Sequence, residues 1–282
     1  RPMLEVWTHR NYAWFMGGMS PALVTLWMQR IGTLWLAWEL THSNTWVGIV
    51  VAVDYAPMIV LAPFVGAFTE KSNPIEVQKI AQYLSLLIAA AMAALVFTGL
   101  MNIWVLLLLS LVLGCVHPFN AISRHTIVPT TVPRSVLPSA LATDSALYNA
   151  ARFIGPALAG YVIAQAGVGS TFVANAFGIL FYLAGLFAVR LDFTDRTSHG
   201  HGGLLSDIVE GLSYVRSHPG IGPLFMLMTI GAIWVRPLQD LLPGFSDRIF
   251  EAGPQGLGWL TAGMGVGATI AAGAIAMYGR TH

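Results

Sequence analysis

The chain has 282 residues, of which 56% are hydrophobic and only 10% charged, with a formal net charge of +1. Soluble domains carry about 25% charged residues, so this composition excludes an ordinary water-soluble fold and points to a bilayer as solvent. The single cysteine, Cys115, excludes an intrachain disulfide framework or a multi-cysteine metal site and reads as a small buried hydrophobe.

A transmembrane helix needs roughly 20 apolar residues, because the hydrocarbon core is about 30 Å thick and the helix rises about 1.5 Å per residue. Eight stretches qualify, at about Tyr12–Trp38, Trp46–Phe68, Ile80–Leu100, Ile103–Ile122, Leu137–Ala166, Thr171–Val189, Ile221–Leu242 and Leu257–Tyr278. Helices satisfy their own backbone hydrogen bonds in lipid, and runs such as Val105–Leu113 lack the alternation of a barrel strand. The links Thr41–Thr45, Met101–Asn102 and Gly167–Ser170 are short and predict antiparallel hairpins. The gap Arg190–Gly220 is long. Its Asp192, Asp195, His199, Gly200 and His201 read as flexible linker, and the two histidines have no third ligand in sequence. Leu204, Leu205, Ile208, Leu212 and Val215 follow at helical spacing, as in an amphipathic helix on the membrane surface. The expected organisation is therefore an all-α integral membrane fold. It has a six-helix bundle over 1–191, a cytoplasmic linker over 192–220, and the first two helices of a second bundle over 221–282.

Basic residues orient the chain. Arg1, Arg10, Lys71, Lys79, Arg124, Arg134, Arg190, Arg196, Arg216 and Arg280 fall in every second gap, whereas the intervening gaps hold only Arg248. This positive-inside pattern places the N-terminus in the cytoplasm. Arg30, Arg152 and Arg236 lie within apolar stretches instead. A charge at mid-bilayer costs at least about 2.5–3.5 kcal/mol and survives only when paired or facing a wet cavity.

Arg30 sits ten residues from the end of the first stretch and Asp54 eight residues into the second. Both are then roughly 12–15 Å deep on neighbouring helices. The two are expected to meet, either as a proton or substrate site with Asp54 the protonatable carboxylate, or as a static ion pair. Arg152 lies amid Tyr148, Asn149 and Phe153, with Asp144 two turns earlier. It is read either as functional or as neutralised by Asp144 or backbone carbonyls. Arg236 and Asp240 are four residues apart and expected to pair locally. Gln29, Asn120 and Asn175 are candidates for a cavity wall or for interhelical hydrogen bonds. His117 reads as a packed, hydrogen-bonded histidine or a titrating one. Trp27-Met-Gln-Arg30 and Trp234-Val-Arg236 form a weak internal echo of the kind seen in two-bundle repeats. Gly263, Gly265 and Gly267 suit close helix packing. No phosphate loop, HExxH or nucleophile triad with motif context is present, so an enzyme, a cofactor or a nucleic-acid partner has no sequence basis.

Three segments carry a family resemblance: Trp27-Met-Gln-Arg-Ile-Gly-Thr-Leu-Trp35 with Trp38-Glu-Leu-Thr41, Asn120-Ala-Ile-Ser-Arg124-His-Thr-Ile-Val-Pro129, and Arg152-Phe-Ile-Gly155-Pro156-Ala-Leu-Ala-Gly160. The chain resembles the major facilitator superfamily, especially the branch of bacterial enterobactin exporters and macrolide efflux proteins. The Gly-Pro segment resembles the superfamily's antiporter motif, with Gly155 and Gly160 permitting close packing and Pro156 bending a gate helix. The loop signature after the second helix, Gly-x-Leu-x-Asp-Arg-x-Gly-Arg-Arg, is eroded to Gly66-Ala-Phe-Thr-Glu70-Lys71-Ser-Asn-Pro-Ile75. Gly66 matches and Glu70 and Lys71 keep the charges, which leaves the strength of the family's interbundle latch in doubt. The resemblance implies a multi-pass protein of the bacterial inner membrane. It would export a small drug, macrolide or siderophore-like molecule by proton antiport with alternating access. Its expected partners are that molecule, protons and the bilayer; the oligomeric state is not legible. The family has two six-helix bundles, so the chain reads as a truncated member. An importer and a non-transporting truncated scaffold are the alternatives.

Overall fold

The structure, a computed structural model, describes residues 5–191, 213–215, 217–218, 220–234 and 240–278. Among the described residues it contains helices and no strand. The main helices are α1 (Arg10–Thr41), α2 (Asn44–Lys71), α3 (Pro74–Phe97), α4 (Ile103–Ile127), α5 (Leu137–Ala166), α6 (Gly169–Ala188), α7 (Ile221–Trp234) and α8 (Gly253–Tyr278). Between α7 and α8 lie a single turn, Leu242–Gly244, and a π turn, Phe245–Ile249.

Local chemistry sets the ends. Asn73 caps α3 by accepting from the Ile75 amide at 3.0 Å, with Pro74 in the first turn, where a missing N–H is harmless. Asn102 caps α4 by accepting from the amides of Trp104 and Val105. Gly99, at φ +70°, ends α3 in a left-handed turn that lets the Leu100 and Met101 amides bond back to the Leu95 carbonyl. His42 closes α1 the same way.

Four of the expected spans correspond to helices long and apolar enough to cross a membrane: Asn44–Thr69, Pro74–Phe97, Ile103–Thr130 and Gly169–Ala188. Among the described residues that criterion does not confirm the full expectation of eight. α1 and α5 run for 32 and 30 residues, but glycine, tryptophan and polar side chains dilute their hydropathy. The expected seventh span, Ile221–Leu242, is described as helix only over Ile221–Trp234, and 235–239 lie outside the described residues. The expected linker helix also falls there, apart from short pieces between 213 and 218.

Five of the first six helices pack as a ring, α1 on α6, α6 on α3, α3 on α4 and α4 on α2, with α1 touching α2 to close it, and α5 packs outside the ring on α1. Without a water-driven force in lipid, such contacts depend on close approach of backbones. A Cβ on Gly18 would stand 2.7 Å from the Phe181 carbonyl and 3.1 Å from Gly185 Cα, so α1 and α6 meet glycine to glycine. Asn11 ties the ends of the same two helices by exchanging hydrogen bonds with the Arg190 backbone. α8 packs on α5, where Gly160 lies against Gly258 and Gly265 against the Phe153 ring.

Candidate functional site

A cavity of about 460 Å³ opens inside the first bundle, lined by α1, α2, α3, α4 and α6, with Tyr148 from α5. Its polar wall follows from helical spacing. Ser110, His117, Asn120 and Arg124 recur on one face of α4, and Gln78, Gln82 and Ser85 on one face of α3. Asn120 Oδ1 accepts from Gln78 Nε2 at 3.0 Å and from Gln82 Nε2 at 2.8 Å, and Asn120 Nδ2 donates to Ser85 Oγ at 3.4 Å. Asn175 Nδ2 donates to Gln29 Oε1 at 2.8 Å across α6 and α1.

Arg30 and Asp54 both line this cavity but are not each other's direct partners. Arg30 Nη2 donates to Asp240 Oδ1 at 2.7 Å, Arg30 Nη1 donates to the Tyr55 hydroxyl, and the guanidinium lies over the Tyr55 ring at 5.0 Å. Asp54, one residue earlier on α2, is turned about 100° from Tyr55 and faces α4. There its Oδ1 stands 3.2 Å from His117 Nε2, an ion-pair contact not aligned as a hydrogen bond. Both residues reach one cavity, whereas azimuth gives Arg30 to Tyr55 and to Asp240. Asp240 thus meets Arg30 of α1, and the local pairing expected with Arg236 falls on a residue outside the described ones.

Asp144 is also redirected. It is buried and accepts from Arg124 Nη2 at 2.6 Å and from Nε at 3.2 Å, instead of meeting Arg152. The Arg152 guanidinium lies 5.7 Å from the Trp27 ring centroid, and Arg30 lies 5.8 Å from the same centroid. Tyr148 meets Trp27 edge to face, and Arg124 sits over the Tyr148 ring at 5.0 Å. Aromatic faces therefore link the three arginines around Trp27 and Tyr148. Asn149 leaves the group: it is exposed, donates to the Ser145 carbonyl at 2.8 Å and does not line the cavity.

Of the gating residues, Gly155 packs against α1, where a Cβ would lie 2.7 Å from the Val24 carbonyl. Pro156 is buried in α5 with its carbonyl turned to Gly258, and Gly160 meets Pro254 and Gly258 of α8. Gly66 has nothing within 4 Å of a would-be Cβ. Glu70 and Lys71 end α2, and their side chains lie outside the described residues.

A second set of contacts joins the two segments at the end of the bundle that carries the α1–α2 link. Trp38 Nε1 donates to Asp247 Oδ2 at 3.0 Å, Arg248 stacks on Trp38 at 5.1 Å, and Gly244 abuts the Asn44 side chain. Within the first bundle, Gly114 of α4 lies against the Asp54 backbone carbonyl and Pro57 of α2, leaving no room for a side chain.

Sequence reasoning missed Gln78, Gln82, Ser85 and Ser110, and assigned Arg124 to topology alone. The signal was present as polar residues at spacings of three and four in otherwise apolar helices. Among the described residues no cluster of metal-ligating side chains occurs.

The chain matches the family model described as transmembrane secretion effector over residues 12–280. It is 26% identical over 168 residues to the staphyloferrin A transporter of Staphylococcus aureus (strain NCTC 8325 / PS 47), covering 59% of this chain and 42% of that one. It is 26% identical over 248 residues to the multidrug efflux pump Tap of Mycolicibacterium fortuitum, covering 84% and 60%. It is 19% identical over 241 residues to macrolide efflux protein A of Streptococcus pyogenes, covering 84% and 59%. The chain thus spans between 42% and 60% of the length of these relatives.

Proposed function

This chain belongs to the transmembrane secretion effector family of the major facilitator superfamily, a transporter family whose members are multi-pass membrane proteins, and on that footing we propose that its parent protein exports a small organic molecule in exchange for protons. Its relatives are named for multidrug efflux, macrolide efflux and staphyloferrin A transport, so an amphiphilic molecule of that size range is the proposed substrate class.

One observation carries the reading. Arg30 faces the same cavity as Asp54, yet its carboxylate partner, Asp240, comes from the segment of the second bundle. In this reading Asp54 is the proton acceptor, with His117 beside it. When Asp54 is ionised, it competes with Asp240 for the field of Arg30. When Asp54 is protonated, Arg30 is left to Asp240 and the two segments are held together. A proton then has different affinity in the two arrangements, which is the condition for it to bias alternating access. Arg30, Asp144, Arg152 and Tyr148 frame the aromatic side of the site. Under the positive-inside orientation, the α1–α2 link end, with its Trp38–Asp247 contact, faces out.

The test is Asp54→Asn in the full-length protein, reconstituted in proteoliposomes with an imposed pH gradient and screened against drug and macrolide panels. The expected result is loss of pH-driven export with unchanged monodispersity. Proton-driven export that survives in the variant removes Asp54 from the mechanism.

A further inference from the structure

The cavity reaches well beyond Arg30 and Asp54, into the heart of the first bundle. Four polar atoms on its wall have no aligned hydrogen-bond partner among the described residues: Asp54 Oδ1, Gln78 Oε1, Ser110 Oγ and Tyr182 OH. Gln78 and Ser110 are 1% exposed and Tyr182 is 4% exposed. A buried polar atom left dry carries its full desolvation penalty, so native structures pair such atoms with protein or with ordered water. The space of about 460 Å³ has room for on the order of ten waters at about 30 Å³ each.

Resting on the reading of Asp54 as proton acceptor, we propose that this part of the cavity is a hydrated proton path inside the first bundle, separate from the route of the transported molecule. The path runs from Tyr182 and Arg124 along the Asn120–Gln78–Gln82–Ser85 amide cluster to His117 and Asp54.

The spacing suits a relay. Arg124, Asn120 and His117 are four and three residues apart on α4, so successive polar groups stand about one turn, roughly 5 Å, apart, and one water bridges such a gap. The amides are neutral and mostly occupied with one another, and neutral amides give an ion no counter-charge. The second segment packs on α1 and α5, whereas the amide cluster sits on α3 and α4, away from the interbundle contacts. The charged groups facing Asp54 are His117 from α4 and Arg30 from α1, with the Tyr55 hydroxyl beside Arg30; Asp240 and Asp144 stand behind the two arginines. A proton entering the chain of waters passes from one to the next, each accepting one and giving up another. The last water forms an O–H bond at Asp54 Oδ1 and leaves no charge on the amides.

The test uses the purified full-length protein and water itself as probe. Hydroxyl-radical footprinting with rapid mixing into oxygen-18 water oxidises side chains that touch water, whatever their surface exposure. Met19 and Tyr182 line the cavity, whereas Met92 and Phe172 are equally buried but pack away from it. Met19 and Tyr182 are expected to label roughly tenfold faster than Met92 and Phe172. Equal, slow labelling of all four overturns the hydrated path. The proton is followed separately, by the infrared carboxyl band that appears after a pH jump and is lost in Asp54→Asn. Gln82→Leu and Asn120→Leu, which place apolar groups in the cluster and remove the anchors of its waters, are expected to slow that band about tenfold, the effect of about 1.4 kcal/mol of added barrier. An unchanged rate in both variants overturns the path while leaving Asp54 as acceptor. Wet labelling without any pH-sensitive Asp54 band sinks the acceptor reading, and the proton role of the path with it. Footprinting of the unsubstituted protein stands even if a leucine variant fails to fold.

Discussion

Asp240→Asn keeps the size of the side chain and removes the charge that meets Arg30 at 2.7 Å. The two side chains are 20% and 11% exposed, between the fully buried and the surface case. Breaking a buried pair costs about 3–5 kcal/mol, and losing a surface pair about 1 kcal/mol or less. Arg30 keeps the Tyr55 hydroxyl and the faces of Tyr55 and Trp27, and the replacement amide still offers an oxygen. A loss of about 2 kcal/mol follows, and it falls only on the arrangement in which the segments touch, because separation breaks the pair anyway. That is a shift of roughly thirtyfold toward separation at the α1–α2 link end. Spin labels at Leu40 and Phe250, both exposed at that end, report it in the full-length protein carrying Cys115→Ser. The variant should enrich the longer distance in a pulsed-dipolar measurement. Superimposable distance distributions would refute the reasoning and reduce Arg30–Asp240 to a packing contact.

Trp38→Phe removes the bond to Asp247 and weakens the Arg248 stack; the same labels should show a shift of the same sign but smaller, about 1 kcal/mol. Arg124→Gln and Asp144→Asn should each lower the thermal midpoint by leaving a buried charge alone, at about 3 kcal/mol. The double variant should lose less than the sum, and strict additivity in that cycle would show that the pair is not coupled. Gly160→Ala places a Cβ 2.6 Å from the Pro254 carbonyl and 2.9 Å from Gly258 Cα. It should cost about 1–3 kcal/mol by forcing α8 off α5. Gly66→Ala, with open space around it, is the matched control and should leave the thermal midpoint equal or slightly higher, since alanine favours the helix.

Hydropathy and the short links made the helices of the first bundle legible, because a span must bury its backbone bonds and a short link can only join antiparallel neighbours. Depth along a helix was legible too, and it brought Arg30 and Asp54 to one level. The angle around the helix axis was not. Tyr55 is adjacent to Asp54, yet it turns to α1 while Asp54 turns to α4, and no rule of spacing along one helix says where the next helix will stand. Asp240 as the partner of Arg30 was invisible for the same reason: the two are 210 residues apart and meet only through tertiary packing. Asp144 misled by proximity in sequence to Arg152, whereas Arg124, at the end of another helix, had the geometry to hold it. The amide cluster was readable in principle, since Gln78, Gln82 and Ser85 recur on one face of an apolar helix. It was overlooked because charges, not neutral amides, drew the attention that membrane energetics gives to costly groups.

The contact of Gly114 with the Asp54 carbonyl and Pro57 has a mechanical meaning. Two helices packed this closely, with no compressible group between them, resist sliding past one another. Asp54 and His117 therefore stand on one tightly packed helix pair. On the proposed mechanism, a change at the carboxylate then comes chiefly from outside that helix pair, through the approach or retreat of the Asp240 charge. On the proposed mechanism the Asp54–His117 pair acts as a fixed gauge, read by an electric field that the moving half carries past it.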